Sequence, residues 1–176
     1  MPEVVFAQSD VVAVGRDWLD RLKRDALAAP RRRARLCLHA DHDDAVQEMV
    51  IAFCRGSWVR PHRHVGRCES LHVIEGELAV LLFDDAGGVE RRIDLCGGGT
   101  SNGAQSSRPF MYRLSTPAWH TVVPCSDFVV VHEVTQGPFI AGDDGFAPWS
   151  PAAGPALEAL IAAAMAEGTR GPATRR

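Results

Sequence analysis

Apolar and polar positions change rhythm twice along this chain. Between residues 16 and 29, Trp18, Leu19, Leu22 and Leu27 recur at helical spacing, which predicts one helix that Pro30 stops. From residue 33 to 134 the texture becomes short β-type runs cut by Gly, Pro, Asp and Ser. Strands are predicted over 35–39, 47–54, 58–64, 70–75, 77–83, 89–95, 110–114, 120–123 and 128–134. Asp84-Asp85-Ala86-Gly87-Gly88 separates two of these runs as a hairpin loop. Helical spacing returns over 155–167, where Leu157, Leu160, Ile161, Ala164 and Met165 mark a packed amphipathic helix that Gly168 ends. Short strands at close spacing between two helices predict an antiparallel sandwich or barrel. The Gly-, Ser- and Asn-rich stretch 96–109 reads as a mobile loop with little to bury, and 169–176 as a fraying tail.

The placement of the histidines adds chemistry to this outline. His62 and His64 alternate along one predicted strand, so their side chains leave the same face. Glu69 follows beyond a turn at Val65-Gly66-Arg67, and His120 begins a late strand. Two imidazoles and a carboxylate from adjacent strands, with a third imidazole from a distant one, make a divalent-metal set once a barrel brings them together. Such nitrogen and oxygen donors suit Fe, Mn, Zn, Ni or Co. Four protein ligands leave one or two positions on a five- or six-coordinate ion for substrate, water or dioxygen.

The spacing Gly56-x5-His62-x-His64-x4-Glu69-x6-Gly76 resembles the first motif of the cupin superfamily. In the second motif His120 holds the histidine position, while Ser115 and Pro117 stand where Pro and Gly would fall and Pro124 replaces an Asn. Within the superfamily the chain is similar to the WbuC-like cupins over about residues 33–139. The matching segments are 35–39, Val46-Gln47-Glu48-Met49, Val59-Arg60-Pro61-His62-Arg63-His64 and Glu69-x-x-His72-Val73-Ile74-Glu75-Gly76-Glu77. They continue through Tyr112-Arg113-Leu114, Trp119-His120-Thr121, His132-Glu133 and Gly137-Pro138-Phe139. The resemblance implies a single cupin-type β-barrel of the jelly-roll kind with flanking N- and C-terminal helices. The expected organisation is an N-terminal extension over 1–32, the barrel over 33–140, and a C-terminal helix and tail over 141–176. It also implies a metalloprotein, often encoded near surface-polysaccharide genes, and a homodimer, as cupins commonly form.

Composition narrows the partners. A net charge of −3 argues against wholesale nucleic-acid binding. The longest uninterrupted apolar run, 159–166, is far short of the roughly 18 residues that a membrane-spanning helix needs. The N-terminus lacks the basic and apolar regions of a signal peptide, so a cytoplasmic location is expected. Cys37, Cys54, Cys68, Cys96 and Cys125 contain no C-x-x-C pair and fit reduced thiols in that compartment.

Several further residues have two readings. Arg60 shares the parity of His62 and His64, so it either clamps an anionic substrate in the cavity or lies solvated near the rim. Tyr112 is either a hydrogen-bond donor in the cavity or, more commonly for such residues, a packed aromatic with its hydroxyl at the surface. One of Gln47 and Glu48 should face the interior, and one of His132 and Glu133 can orient a ligand. Arg63 and His72 should face outward, Cys68 should point away from Glu69, and His39 and His42 flank a solvated acidic turn. The cluster Arg31-Arg32-Arg33-Arg35 reads as a charged surface patch.

The expected function is that of a divalent-metal-binding cupin with a small-molecule ligand, acting in isomerase fashion on an oxygen-rich compound such as a sugar derivative. A non-enzymatic metal-dependent binding protein and an Fe-dependent dioxygenase are the alternatives, and no catalytic residue is assigned. Fold alone does not choose among them.

Overall fold

Residues 49–54 are apolar without a break because both faces of the strand they form are covered. In the computed structural model, which describes residues 3–98, 107–140, 142 and 144–168, this strand is β3 (Val46–Cys54). Met49, Ile51 and Phe53 point into the space between two sheets, whereas Val50, Ala52 and Cys54 pack beneath an N-terminal helix. Two-sided burial removes the polar alternation that a half-exposed strand would show.

The elements preceding and following it are β1 (Val4–Phe6), α1 (Arg16–Ala28), β2 (Arg33–Cys37), β4 (His62–His64), β5 (Glu69–Glu75) and β6 (Glu77–Phe83). Then come β7 (Val89–Cys96), β8 (Met111–Leu114), β9 (Trp119–Pro124), β10 (Phe128–Gln136), β11 (Asp144–Phe146) and α2 (Gly154–Gly168). One sheet has the order β1-β2-β3-β10-β5-β8 and the other β11-β4-β9-β6-β7. Neighbours in both are antiparallel, apart from the parallel pair β1 and β2. Leu71, Val73, Leu78, Val80, Val122, Val129 and Val131 join the inner residues of β3 in the core between the sheets. Leu19, Leu22 and Ala26 of α1 close the outer face of the first sheet, and Leu157, Ile161 and Ala164 of α2 close that of the second.

Local chemistry sets the corners that matter for the site. Gly76 joins β5 to β6 with φ +87°, and a Cβ there would lie 2.3 Å from the Phe128 carbonyl oxygen, so only glycine fits. Gly66, at φ +73°, turns the chain between His64 and Glu69.

Three expectations change. The run over 58–64 forms ladder bonds only at His62–His64, in keeping with Pro61, which has no N–H to give a ladder. Leu27 is 52% exposed rather than on the packed face of α1, where Asp25 and Ala26 are buried instead. Two three-residue strands, β1 and β11, extend the sheets beyond the predicted set. The loop expected over 96–109 and the tail over 169–176 fall largely or wholly outside the described residues.

Candidate metal centre

Four side chains from both sheets converge. His62 and His64 leave the same face of β4, and β9 sets His120 directly opposite His62 in register. Glu69 comes from the first sheet, at the start of β5 just beyond the Gly66 turn. One donor atom from each of the four lies within 4.8 Å of those of the others. The imidazole centroids are 4.4 Å (His62–His120), 5.0 Å (His62–His64) and 5.3 Å (His64–His120) apart.

Each donor is held by a neighbour. His62 Nδ1 lies 2.9 Å from the Arg60 carbonyl and His120 Nδ1 3.0 Å from the Ala118 carbonyl. Donation from Nδ1–H to those carbonyls leaves Nε2 of each ring with a lone pair for the cluster. His64 Nε2 is 3.0 Å from Glu69 Oε2, and the Tyr112 hydroxyl donates to Glu69 Oε1. His120 Nε2 stands 3.6 Å from Glu69 Oε2, too far for a hydrogen bond, and is buried with no hydrogen-bond partner among the described residues. A buried imidazole lone pair with no donor facing it is costly to leave so, and a cation beside a carboxylate satisfies it. The donor set of three imidazoles and one carboxylate therefore fits a divalent ion.

The electrostatics agree with that use. Burial, then the charge of His120, pushes His62 down to about 4, which keeps it neutral as a ligand must be. Burial opposes the charge of Glu69, but its interactions with His120, His64 and Tyr112 outweigh this and hold it well below the usual carboxylate range. Burial, then the Glu69 charge, raises the Tyr112 hydroxyl well above its ordinary value, so it stays a donor.

The cluster opens onto a cavity of about 730 Å³, whose wall includes Arg33, Arg35, Arg60 and Glu133. Arg60 Nη2 is tied to the Ser150 carbonyl at 2.9 Å and reaches that of Ala147 at 3.4 Å, with its guanidinium 4.7 Å from the Phe146 ring. Tyr112 is buried with its hydroxyl on Glu69, which corrects the expectation of a surface hydroxyl. The register of β8 against β5 places Tyr112 opposite Leu71, one inward position from Glu69. The surface-patch reading of Arg31-Arg32-Arg33-Arg35 also changes. Ala34 and Leu36 pack under α1, so the alternation of β2 turns Arg33 and Arg35 inward, while Arg31 pairs with Glu3.

Of the paired candidates, Glu133 faces the cavity while His132 is outside, bonded to Glu48 at 2.7 Å. Burial, then the Glu69 charge, pushes Glu133 up to about 7. Gln47 is buried, but its amide binds the carbonyls of Asp41, His42 and Asp44. Arg63 stacks outside on Trp119, and His72 packs against Phe110. Cys68 meets Arg113 and Gln136 rather than the cluster, and His39 is buried against the Glu48 backbone. Parity along β2 and β10 was the signal that could have singled out Arg33, Arg35 and Glu133.

A family profile described as Domain of unknown function (DUF6016) matches residues 14–95, which take in His62, His64 and Glu69 but not His120. No curated protein sequence matches the chain significantly. Among solved structures the chain is similar to protein SO0799 from Shewanella oneidensis, with 13% identity over 77% of this chain and 81% of that one and a TM-score of 0.51. It is also similar to a cupin superfamily protein from Desulfitobacterium hafniense, with 16% identity over 59% and 76% of the two chains and a TM-score of 0.43. KdgF from Halomonas sp. gives 17% identity over 62% and 83%, with a TM-score of 0.43. The two facing sheets with a helix at each end form a β-sandwich, the fold that the likeness to SO0799 shows.

Proposed function

We propose that this chain is a divalent-metal-dependent enzyme of isomerase type acting on a small oxygen-rich substrate, such as a sugar or sugar derivative. One observation carries the reading: a three-histidine, one-carboxylate donor set, with Glu69 and His120 buried and His62 and His64 half-buried, opens onto a cavity sized for one small molecule. The WbuC-like segments of the sequence direct the substrate toward surface-polysaccharide chemistry.

His62, His64, Glu69 and His120 would hold the ion, with Zn, which has no redox chemistry, or Mn kept as Mn(II) among the metals that this donor set suits. Bound there, a divalent ion supplies Lewis acidity to a substrate carbonyl or hydroxyl oxygen. The chain's own groups do the rest. Tyr112 fixes Glu69 through Oε1, so that Oε2 faces the imidazoles. Arg60, anchored on two carbonyls, lines the cavity as an anchor for an anionic part of the substrate. Isomerisation moves a proton between neighbouring carbons. Glu133 is the cavity carboxyl placed to hold and pass that proton.

The test is turnover. Protein purified anaerobically and loaded with Mn or Zn is mixed with a panel of sugars, sugar phosphates and sugar acids, followed by NMR and an oxygen electrode. Isomerised product without oxygen uptake is expected. Oxygen uptake with Fe alone would replace this reading by a dioxygenase, and binding without conversion would replace it by a carrier or sensor.

A further inference from the structure

We propose that Arg33 and Arg35 form an oxyanion-binding subsite on the cavity wall away from the His/Glu cluster. The substrate would then carry a carboxylate or phosphate several bonds from the atoms it presents at that cluster. The inference deepens the function proposed above and rests on it only for the metal end.

Both arginines are turned into the molecule by the alternation of β2, and both line the cavity. Cationic side chains are seldom directed inward without an anionic partner. Other arginines have a partner: Arg31 has Glu3, Arg55 has Asp127, Arg92 has Asp94 and Arg108 has Glu77, while Arg60 has backbone carbonyls and Arg63 the Trp119 ring. Among the described residues, by contrast, Arg33 has no ion pair and no side-chain hydrogen bond, and its Nε is wholly buried. Among the described residues, the one hydrogen bond of the Arg35 guanidinium is to the Met49 sulfur, at 3.8 Å. Two inward guanidiniums therefore face the cavity with most of their donors unused among the described residues. Their planar forks match carboxylate and phosphate oxygens in pairs.

Other charges in the cavity leave that potential largely intact. Glu133 shares the cavity, yet no ion pair joins it to Arg33 or Arg35 among the described residues, so the forks of both remain open to a ligand. Burial, then the charges of Arg31 and Arg35, lowers Arg33 to about 10, still a cation at neutral pH.

Topology adds the spacing. β3 and β10 lie between β2 and β5 in the first sheet, about 14 Å across the strands, and the register sets Arg35 level with Val73, beyond Glu69 along β5, so the two ends are farther apart still. Even allowing for the reach of an arginine, one small anion does not occupy both ends. A compound with an anionic group at one end and hydroxyl or carbonyl oxygens at the other does, as a sugar phosphate or sugar acid would.

Isothermal titration of the full chain with inorganic phosphate, and separately with gluconate, reads this subsite. Elemental analysis of the same Mn-loaded samples, freed of excess metal, reads the other end. At least one anion is expected to bind, and which binds more tightly distinguishes phosphate from carboxylate. Arg33→Met and Arg35→Met should each weaken it about ten- to a hundred-fold with metal content unchanged, while Arg91→Gln, on the exposed face of β7, leaves it as it was. Without anion, Arg33→Met should melt above the wild type, because it removes an unpaired inward charge. A structural arginine would lower the melting temperature.

The subsite is overturned if neither anion binds the wild-type chain. It is equally overturned if Arg33→Met binds as well as wild type, or if Arg91→Gln weakens binding as much. Anion binding that depends on Arg33 in a chain that holds no metal would uphold the subsite and remove the metal-dependent function.

Discussion

Tyr112 holds one oxygen of Glu69 and thereby decides which oxygen faces the imidazoles. Tyr112→Phe keeps the ring but frees Oε1, and metal affinity should fall about ten- to a hundred-fold in competition with a chromophoric chelator. Unchanged affinity would show that the hydroxyl does not position the carboxylate. Glu133 makes a second prediction. Its raised value means that the folded chain keeps a proton that the unfolded chain loses between about pH 4.5 and 7, so Glu133 lowers stability across that window as pH rises. The depressed value of His62 acts in the opposite direction, adding stability as pH rises from about 4 toward 6.5. The difference between variant and wild type isolates the first effect. In the metal-free protein, Glu133→Gln should gain on wild type from pH 5 to pH 7 by at most about 3 kcal/mol, read as melting temperature at each pH. A constant offset would contradict it. At this scale the sequence showed His62, His64, Glu69 and His120 through strand parity and motif spacing. It did not show the Tyr112–Glu69 bond, which depends on the register of β8 against β5.

Elements turn these positions into a site, and the corners are their weakest joints. Gly76→Ala places a Cβ against the Phe128 carbonyl in left-handed backbone, which costs about 1–3 kcal/mol for the conformation alone. The variant should unfold at lower denaturant, and an unchanged midpoint would mean that the turn can rearrange. Ile161, 1% exposed, anchors α2 on the second sheet, so Ile161→Ala should cost about 2–5 kcal/mol by the same measurement. Both helices were legible because their period runs over many residues, and β3 because its continuous apolar run marks a strand covered on both faces. β1 and β11 were not, because three residues carry no period and their ladder bonds come from neighbours distant in sequence. Leu27 misled for a related reason: helical spacing alone did not decide between Ala26 and Leu27 for the buried face of α1.

Across the whole molecule, the two sheets bring β4, β9 and β5 together from separate parts of the chain, and the cavity follows from their facing. Among the described residues, no helix is long and apolar enough to cross a membrane. A homodimer is the proposed assembly, and sedimentation showing only monomer at micromolar concentration would remove it. The central claim, however, is that one divalent ion sits among His62, His64, Glu69 and His120. Its most direct test is the metal stoichiometry of the full chain by elemental analysis after Mn loading and dialysis, beside His62→Ala/His120→Ala treated identically. The account predicts one equivalent for the wild type and essentially none for a folded double variant. Equal metal in both, or none in the wild type, would contradict it.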